Sequence, residues 1–473
     1  MSILNIFILA ALAALAGLLR KGRGLALLFV SALAVYWLGT RFDNSSYTFW
    51  IPTGTLALAA VSWALTAPPE ARASRRNLPG FVILMAASLL ASLNRYFQIE
   101  PFFATTTPRV QVAAAFWLVL LAGLAALAFL LRRGRGQRAL LILAVIGGIA
   151  LLALVKSPAL TGRLYGLVNS LRGGGAESVP FAFQWLGFSY VAFRLLHTFF
   201  DRLSGRLPAV SLDEYVTYVI FFPAFTAGPI DRIERFLKDL RDPRPVRAAD
   251  WLEAGRRFFT GLFKKFVLAD ALALVSIGAF APFVRTPGWA WLVLYAYAFR
   301  LLFDFSGYTD IAIGMGLLAG IRLPENFASP YLKPNLTQFW NSWHMSLTQW
   351  FRAYFFNPLV RGFRSARKPP PAWIIIAIAQ FGTMTLIGLW HGISWNYVLW
   401  GLWHAAGLFV HNRWSEWTRV RAAAWAATPA RKVLLNVTGI LVTFHYVALG
   451  WVFFALTTPA QSWVFFLKLF GLA

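Results

Sequence analysis

The chain has 473 residues, of which 59% are hydrophobic and only 13% charged, and its mean hydropathy is +0.61. A soluble domain usually carries roughly 25% charged residues, so this composition excludes an ordinary soluble protein. The net charge of +26 would indicate nucleic-acid binding on a soluble protein, but basic loops against anionic lipid headgroups explain it here. Cysteine is absent, which excludes disulfides, thiolate nucleophiles and cysteine-ligated metals, and no metal site is expected.

Apolar runs recur along the whole chain, and a run of about 17–25 residues can cross the bilayer as a helix. Some runs are too short or too broken to cross, so we expect about ten to twelve transmembrane helices in an all-α polytopic protein. The candidate spans are Ile3–Leu19, Leu25–Gly39, Phe49–Thr66, Pro79–Leu93, Val110–Leu131, Ala139–Val155, Phe181–Phe200, Tyr215–Phe225, Phe258–Val284, Trp289–Leu318, Pro371–Leu389, Ser394–Val410 and Val433–Leu456.

The basic loops predict the orientation of the first helices. Arg20–Arg23 follows the first apolar run, whereas a cleaved signal peptide has its positive charge before the apolar core. The positive-inside rule places Arg20–Arg23, Glu70–Arg76 and Arg132–Arg138 in the cytoplasm. The polar segments Phe42–Thr48 and Asn94–Thr107 then lie outside.

The character of the sequence changes along the chain. Residues 1–155 read as plain membrane helices, residues 156–180 as a polar outer loop, and residues 181–473 as a core in which polar groups enter apolar runs. The charged stretch Arg232–Arg257 reads as two surface helices broken at Pro243 and Pro245, or equally as a solvated cytoplasmic linker.

The stretch FWNSWHMSLTQWFRAYFF (Phe339–Phe356) places a histidine among large aromatics. On one continuous helix, Trp340, His344, Leu347, Phe351 and Tyr354 form an apolar stripe, and Asn341, Thr348 and Arg352 form the other face. A lone histidine on an apolar face is more often structural. Burial nevertheless favours the neutral imidazole that a general base needs.

A second stretch, LIGLWHGISWNYVLWGLWHA (Leu386–Ala405), places His391 where Gly388, Gly392 and Ser394 interrupt an apolar run. Irregular backbone at membrane depth is tolerated only against protein or a water-filled cavity. Trp390 and its neighbouring tryptophans would form the walls of a pocket, so His391 and His344 are the candidate catalytic residues. The remaining histidines, His197, His404, His411 and His445, are interpreted as structural.

Intramembrane charges occur at Arg300, Asp304 and Asp310. Such groups face a bundle interior or a cavity. Arg300 and Asp304 are four residues apart, which predicts a structural ion pair. Asp304, Tyr308 and Asp310 are interpreted as a wall of the pocket.

Two other classes of protein stay open on the residues alone. His391 and His404 could ligate haem, although no second helix carries such a pair, and a visible spectrum of the purified protein would decide. A polysaccharide or lipid transporter is the other alternative, but the irregular segments lie only in the second part of the chain. The HExxH, Walker and GxSxG motifs are absent, which argues against metalloproteases, nucleotide hydrolases and α/β-hydrolases.

Five ordered segments resemble the membrane-bound O-acyltransferase (MBOAT) superfamily, in particular its alginate O-acetylation and teichoic acid D-alanylation branches. The resemblance covers about residues 181–456, and AGPIDR (Ala227–Arg232) fits both branches. The segments are GLFKKFVLAD (Gly261–Asp270), DFSGYTDIAIGMG (Asp304–Gly316), PENFASPYL (Pro324–Leu332), FWNSWHMSLTQWFR (Phe339–Arg352) and GLWHGISWNYVLWGLWHA (Gly388–Ala405).

The resemblance implies re-entrant and interfacial helices around a central tunnel, with an acyl thioester donor, acetyl-CoA or an acyl carrier protein, entering from the cytoplasm. His391 matches the invariant histidine of the family and His344 its second histidine, while Asn341, Trp343 and Ser346 line the tunnel. Asn341 and Ser342 stand where alginate-type relatives carry a charged pair, and Ala353 stands where an acid is common.

The resemblance also implies an acyltransferase of the bacterial inner membrane that holds no permanent cofactor. Its acceptor would be a hydroxyl of an exported polysaccharide or envelope polymer, reached directly or through an outward-facing partner enzyme. His391 would act as the general base on that hydroxyl, and His344 would orient the acceptor or donate to the oxyanion.

Overall fold

The computed structural model describes residues 3–19, 21–39, 47–97, 107–133, 136–171, 185–242, 246–421, 425 and 427–472. These residues form helices and connections, and their single β-bridge joins Phe327 to Trp343, so the predicted all-α class is confirmed. Several predicted features lie outside the described residues: Arg20, residues 42–46, residues 98–106, residues 134–135, the last part of the predicted outer loop (residues 172–180), Pro243 and Pro245. The earlier part of that predicted loop contains the helix Pro158–Leu171.

Within the described ranges, eight helices are long and apolar enough to cross a membrane, and two shorter apolar helices precede them. Two of the eight, Val110–Leu130 and Gln137–Lys156, expose most of their apolar side chains. Val119 is 73% exposed and Leu143 is 62% exposed, an amount of apolar surface that lipid would cover. The chain is therefore a multi-pass membrane protein.

The described chain divides into two compact units, and the predicted division at residues 155 and 181 stays a prediction. The first unit comprises Met1–Phe258 and Ile311–Pro324. Its helices are Ile3–Leu18, Arg23–Gly39, Tyr47–Thr66, Pro69–Arg72, Leu78–Phe97, Val110–Leu130, Gln137–Lys156, Pro158–Leu171, Phe188–Leu203, Leu212–Ile220, Ile233–Leu240 and the larger part of Ala248–Phe263.

One predicted span of the first unit, Tyr215–Phe225, corresponds to a short helix in its interior and the turn that follows. Leu212–Ile220 has nine residues, begins at a capping box formed by Ser211 and Glu214, and is followed by a turn that contains Pro223. At about 1.5 Å per residue it is too short to cross the hydrocarbon layer. The buried Arg194 donates to the carbonyl oxygens of Val219 (3.1 Å) and Ala224 (2.8 Å), which satisfies the end of this helix.

The second unit comprises Phe259–Asp310 and Glu325–Ala473, and the long helix Pro287–Leu318 begins in it. Short helices alternate with long ones here. They are the π-helix Lys264–Ala269, Asp270–Ala273, Ile277–Phe280, Leu336–Trp340, Met345–Phe351, the π-helix Arg352–Phe356, Asn357–Arg364, Ala372–His391, Trp395–Thr418, Pro429–Ala455 and Pro459–Leu469. Short 3₁₀ turns lie at Ala281–Phe283 and Pro330–Leu332.

Candidate active site

The helices Ala372–His391 and Trp395–Thr418 form a tight hairpin, and glycine makes it possible. A Cβ atom on Gly388 would lie 2.2 Å from the carbonyl oxygen of Tyr397, and one on Gly401 would lie 2.5 Å from that of Met384. The two backbones are therefore too close for any side chain at these positions. The hairpin turns at residues 392–394, directly after His391.

His391 ends the first helix of the hairpin within a group of aromatic rings. Its ring centroid lies 4.6 Å from Trp390, 4.8 Å from Phe454 and 5.5 Å from Trp400, and it stacks on Tyr397 at 6.1 Å. Trp390 and Trp400, two of the tryptophans expected to form the walls, therefore contact this imidazole, whereas Trp395 is 74% exposed. Phe454 adds a wall from helix Pro429–Ala455, which sequence reasoning missed because it lies 63 residues further along the chain.

His344 lies in a break between two helices, and the predicted continuous helix over Phe339–Phe356 is wrong. Helix Leu336–Trp340 ends before it and helix Met345–Phe351 begins after it. The His344 backbone is left-handed, with φ +43° and ψ +53°, a conformation uncommon for any residue except glycine. The break exists because residues 326–328 pair with this turn, through Ala328 N–H to Ser342 O and Met345 N–H to Asn326 O, both at 3.0 Å.

The imidazole of His344 is 2% exposed and sits between two aromatic rings. Its centroid lies 4.6 Å from Phe305 and 5.9 Å from Trp390. Within the described part of the chain, Nε2 of His344 has no hydrogen-bond partner, and neither has the buried Nδ2 of Asn326. Burial lowers the pKa of His344 below its ordinary value, so the ring is neutral at pH 7.

The rings of both candidate histidines thus lie close to one indole, that of Trp390, with centroid distances of 5.9 Å for His344 and 4.6 Å for His391. Both rings belong to the second unit and are surrounded by aromatic side chains. The unpaired Nε2 of His344 can bond to a polar group of a bound molecule, because a buried polar atom left unpaired costs about 1–3 kcal/mol. His391, at the end of its helix, is partly exposed.

The residues expected beside His344 have different surroundings. Asn341 is exposed and accepts a hydrogen bond from Arg352 (2.7 Å), so it does not share the buried environment of His344. Trp343 is buried and stacks on Tyr331 and Phe339. Ser346 is buried and donates through Oγ to Oδ1 of Asn326 (2.6 Å).

The predicted ion pair between Arg300 and Asp304 is wrong. Asp304 pairs with Lys265 (2.5 Å) and Asp310 with Lys264 (2.6 Å), while Arg300 donates to Ser276 Oγ (3.2 Å). Spacing along one helix could not reveal these partners, because both lysines belong to another helix.

Phe305, within the predicted wall, contacts His344, whereas Asp304 and Asp310 pair with the lysines. Tyr308 lies on the same helix and is partly buried. A Cβ atom on Gly307 would lie 2.8 Å from the carbonyl oxygen of Gly261, which explains how this helix approaches the lysine-bearing segment so closely.

The other histidines have defined environments. His404 is fully buried among Phe339, Trp340 and Trp400, and its two ring nitrogens have no hydrogen-bond partner in the ranges described above. His411 bonds to Thr337 (3.1 Å) and Ser415 (3.3 Å).

His445 Nδ1 lies 2.7 Å from the Leu441 carbonyl, which can only accept. Its Nε2 lies 2.8 Å from the hydroxyl oxygen of Tyr295.

His197, which the sequence analysis interprets as structural, lies beside two carboxylates. Its Nε2 lies 3.1 Å from Asp201 Oδ2 and 3.9 Å from Glu234 Oε2 in the first unit. The other oxygen of Asp201 accepts from Arg206 (2.8 Å), so the carboxylate already has a cationic partner. Glu234 comes from a separate helix, and no local sequence pattern links it to His197.

Fold and site together define a class: a polytopic α-helical membrane protein with two imidazoles among aromatic side chains. Comparison with known sequences identifies the family within this class. The sequence profile of the membrane-bound O-acyltransferase (MBOAT) family matches residues 169–451, and the chain belongs to this family.

Three groups of relatives are similar to this chain. The probable alginate O-acetylase of Azotobacter vinelandii is 35% identical over 287 residues, which cover 60% of this chain and 54% of that protein. The teichoic acid D-alanyltransferase of Bacillus subtilis is 32% identical, over 58% of this chain and 69% of that protein. The peptidoglycan O-acetyltransferase of Helicobacter pylori is 33% identical, over 51% and 43%. The chain spans about half the length of the alginate O-acetylases that it matches.

Proposed function

We propose that this protein transfers an acyl group, most simply acetyl, from a thioester donor in the cytoplasm to a hydroxyl of an exported polysaccharide or envelope polymer. The observation that carries the proposal is that the rings of His344 and His391 both contact the indole of Trp390. The names of the relatives support it, because they describe transfer of acetyl or D-alanyl groups and mention alginate, teichoic acid and peptidoglycan. The site would lie in a bacterial cytoplasmic membrane.

The reaction needs a proton acceptor and a stabilised oxyanion, since a thioester is already activated. His391 takes the proton of the acceptor hydroxyl as its oxygen attacks the thioester carbonyl. The C–S bond breaks, and the thiolate leaves and takes up a proton. His344 orients the acceptor or bonds to the developing oxyanion, and the enclosed site adds the advantage of proximity. No permanently bound cofactor takes part in this scheme, and CoA or a carrier protein is a substrate.

The test uses purified protein in vesicles with radiolabelled acetyl-CoA or acetyl carrier protein, and envelope polymer as the acceptor. We expect His391→Ala to lower label transfer about 10²–10⁴-fold, because it removes a positioned base. His411→Ala is the matched control, since His411 bonds only to surface-side hydroxyls among the contacts described above. If His391→Ala transfers label as fast as the wild type, His391 is not the base.

Further arms of the same experiment identify the acyl donor and show whether a partner enzyme is needed. Label on the polymer from acetyl-CoA alone identifies CoA as the donor, and label only from the carrier protein identifies the carrier. Transfer that needs an added membrane fraction indicates a partner enzyme on the outer side. Polymer that crosses the membrane without acquiring label would support a transporter instead.

A further inference from the structure

The left-handed backbone of His344 must be held by other residues. A residue other than glycine is strained in this conformation, so the turn would relax if nothing fixed it. The sequence offers no glycine or asparagine at this position to remove the cost. What holds the turn is therefore also what holds the imidazole in place.

Asn326 makes three of the hydrogen bonds that fix this turn. Its backbone carbonyl accepts from Met345 N–H at 3.0 Å. Its side-chain Oδ1 accepts from Ser346 N–H at 3.1 Å and from Ser346 Oγ at 2.6 Å. The side chain is completely buried. All three bonds end on the two residues that follow His344.

The orientation of the Asn326 amide is unambiguous, because a backbone N–H can only donate and its partner must be the amide oxygen. Hydrogen bonds between buried groups stabilise the turn, so the two bonds to Oδ1 offset the strain of the left-handed residue. Without them the turn is no longer favoured. The His344 ring could then leave its place between Phe305 and Trp390.

We propose that Asn326 is a positioning residue that keeps His344 in its productive orientation. It acts through the turn at His344, and the responsible group is its side-chain carbonyl, which accepts the two hydrogen bonds from Ser346. The inference rests on the proposed acyl transfer, but its central claim concerns the geometry of His344 and can be measured without activity.

The first measurement is kinetic, with acetyl-CoA as the probe and purified full-length protein. Asn326→Ala should lower kcat about 10²-fold with KM nearly unchanged, because misplacing a catalytic group by about 1 Å has an effect of that size. Asn326→Asp keeps an acceptor oxygen for Ser346 and should recover a large part of this loss. A wild-type kcat in Asn326→Ala, or no recovery in Asn326→Asp, overturns the proposal.

The second measurement follows carbethoxylation of His344 by diethyl pyrocarbonate, read by peptide mass spectrometry. We expect His344 to react at least several-fold faster in Asn326→Ala than in the wild type. His411, which is partly exposed in a different helix, should react at an unchanged rate. Faster reaction of both histidines means general unfolding and overturns the positioning role. If no thioester supports transfer by the wild type, the proposed function fails while this measurement still tests Asn326.

Discussion

At His344 an uncommon backbone conformation and a buried imidazole occur in the same residue. The sequence predicted most of the buried side chains: Trp340, His344, Leu347 and Phe351 are buried and Arg352 is exposed, but Tyr354 of the same predicted stripe is only partly buried. It could not predict the left-handed turn, because the turn depends on pairing with residues 326–328. A helical wheel shows only the local spacing of residues. It therefore assigns no role to Asn326, which lies in the separate segment Pro324–Leu332.

The pH dependence of stability follows from the pKa of His344. Burial lowers this pKa in the folded protein, whereas the unfolded chain keeps about 6.5. The unfolded state therefore binds a proton first as the pH falls below about 6.5, and the folded state loses up to about 1.4 kcal/mol per pH unit. We expect the wild-type melting temperature to fall more between pH 7 and pH 5 than that of His344→Gln. Equal falls in both proteins would show that this imidazole is not buried as described.

Among the elements, the hairpin of Ala372–His391 and Trp395–Thr418 was the easiest to anticipate. Glycines at an interruption in an apolar run indicated irregular backbone, and the structure places the turn directly after His391. The ion pairs were harder to predict from the sequence, because Lys264 and Lys265 lie about 40 residues from their partners Asp310 and Asp304. The i,i+4 rule ranks only neighbours on one helix and therefore selected Arg300 for Asp304.

Because the two helices of the hairpin pack closely at Gly401, we expect a substitution there to destabilise the protein. Gly401→Ala would place a methyl group 2.5 Å from the Met384 carbonyl oxygen, so the helices must separate. Overpacking of this kind costs about 1–3 kcal/mol. We expect a lower melting temperature, and lower acetyl transfer because His391 moves with its helix.

Gly362→Ala is the control for this prediction, since a Cβ atom there would meet nothing within 4 Å. Thermal melts and transfer assays on the two variants give the comparison. If Gly401→Ala has the same melting temperature as Gly362→Ala and transfers acetyl groups at the wild-type rate, the two helices do not approach each other as described.

At the scale of the whole molecule, composition alone predicted the class. Too few charges to cover a soluble surface, together with repeated long apolar runs, required a bilayer, and the exposed apolar faces of Val110–Leu130 and Gln137–Lys156 agree with it. Which apolar runs cross the membrane was less predictable, because an apolar run can also form a helix in the interior of the protein. Leu212–Ile220 is such a case: its side chains are buried by protein, and hydropathy cannot distinguish burial in protein from burial in lipid.

The orientation of the chain in the membrane is a prediction that its composition makes easy to test. The chain contains no cysteine, so a single introduced cysteine is labelled without background. The positive-inside rule places Lys21 in the cytoplasm and residue 44 outside. In intact cells, a membrane-impermeant maleimide should therefore label Asn44→Cys but not Lys21→Cys, and it should label both after the membrane is opened. Labelling of Lys21→Cys in intact cells would reverse the orientation and place the basic loops, and with them the proposed donor side, on the outer face.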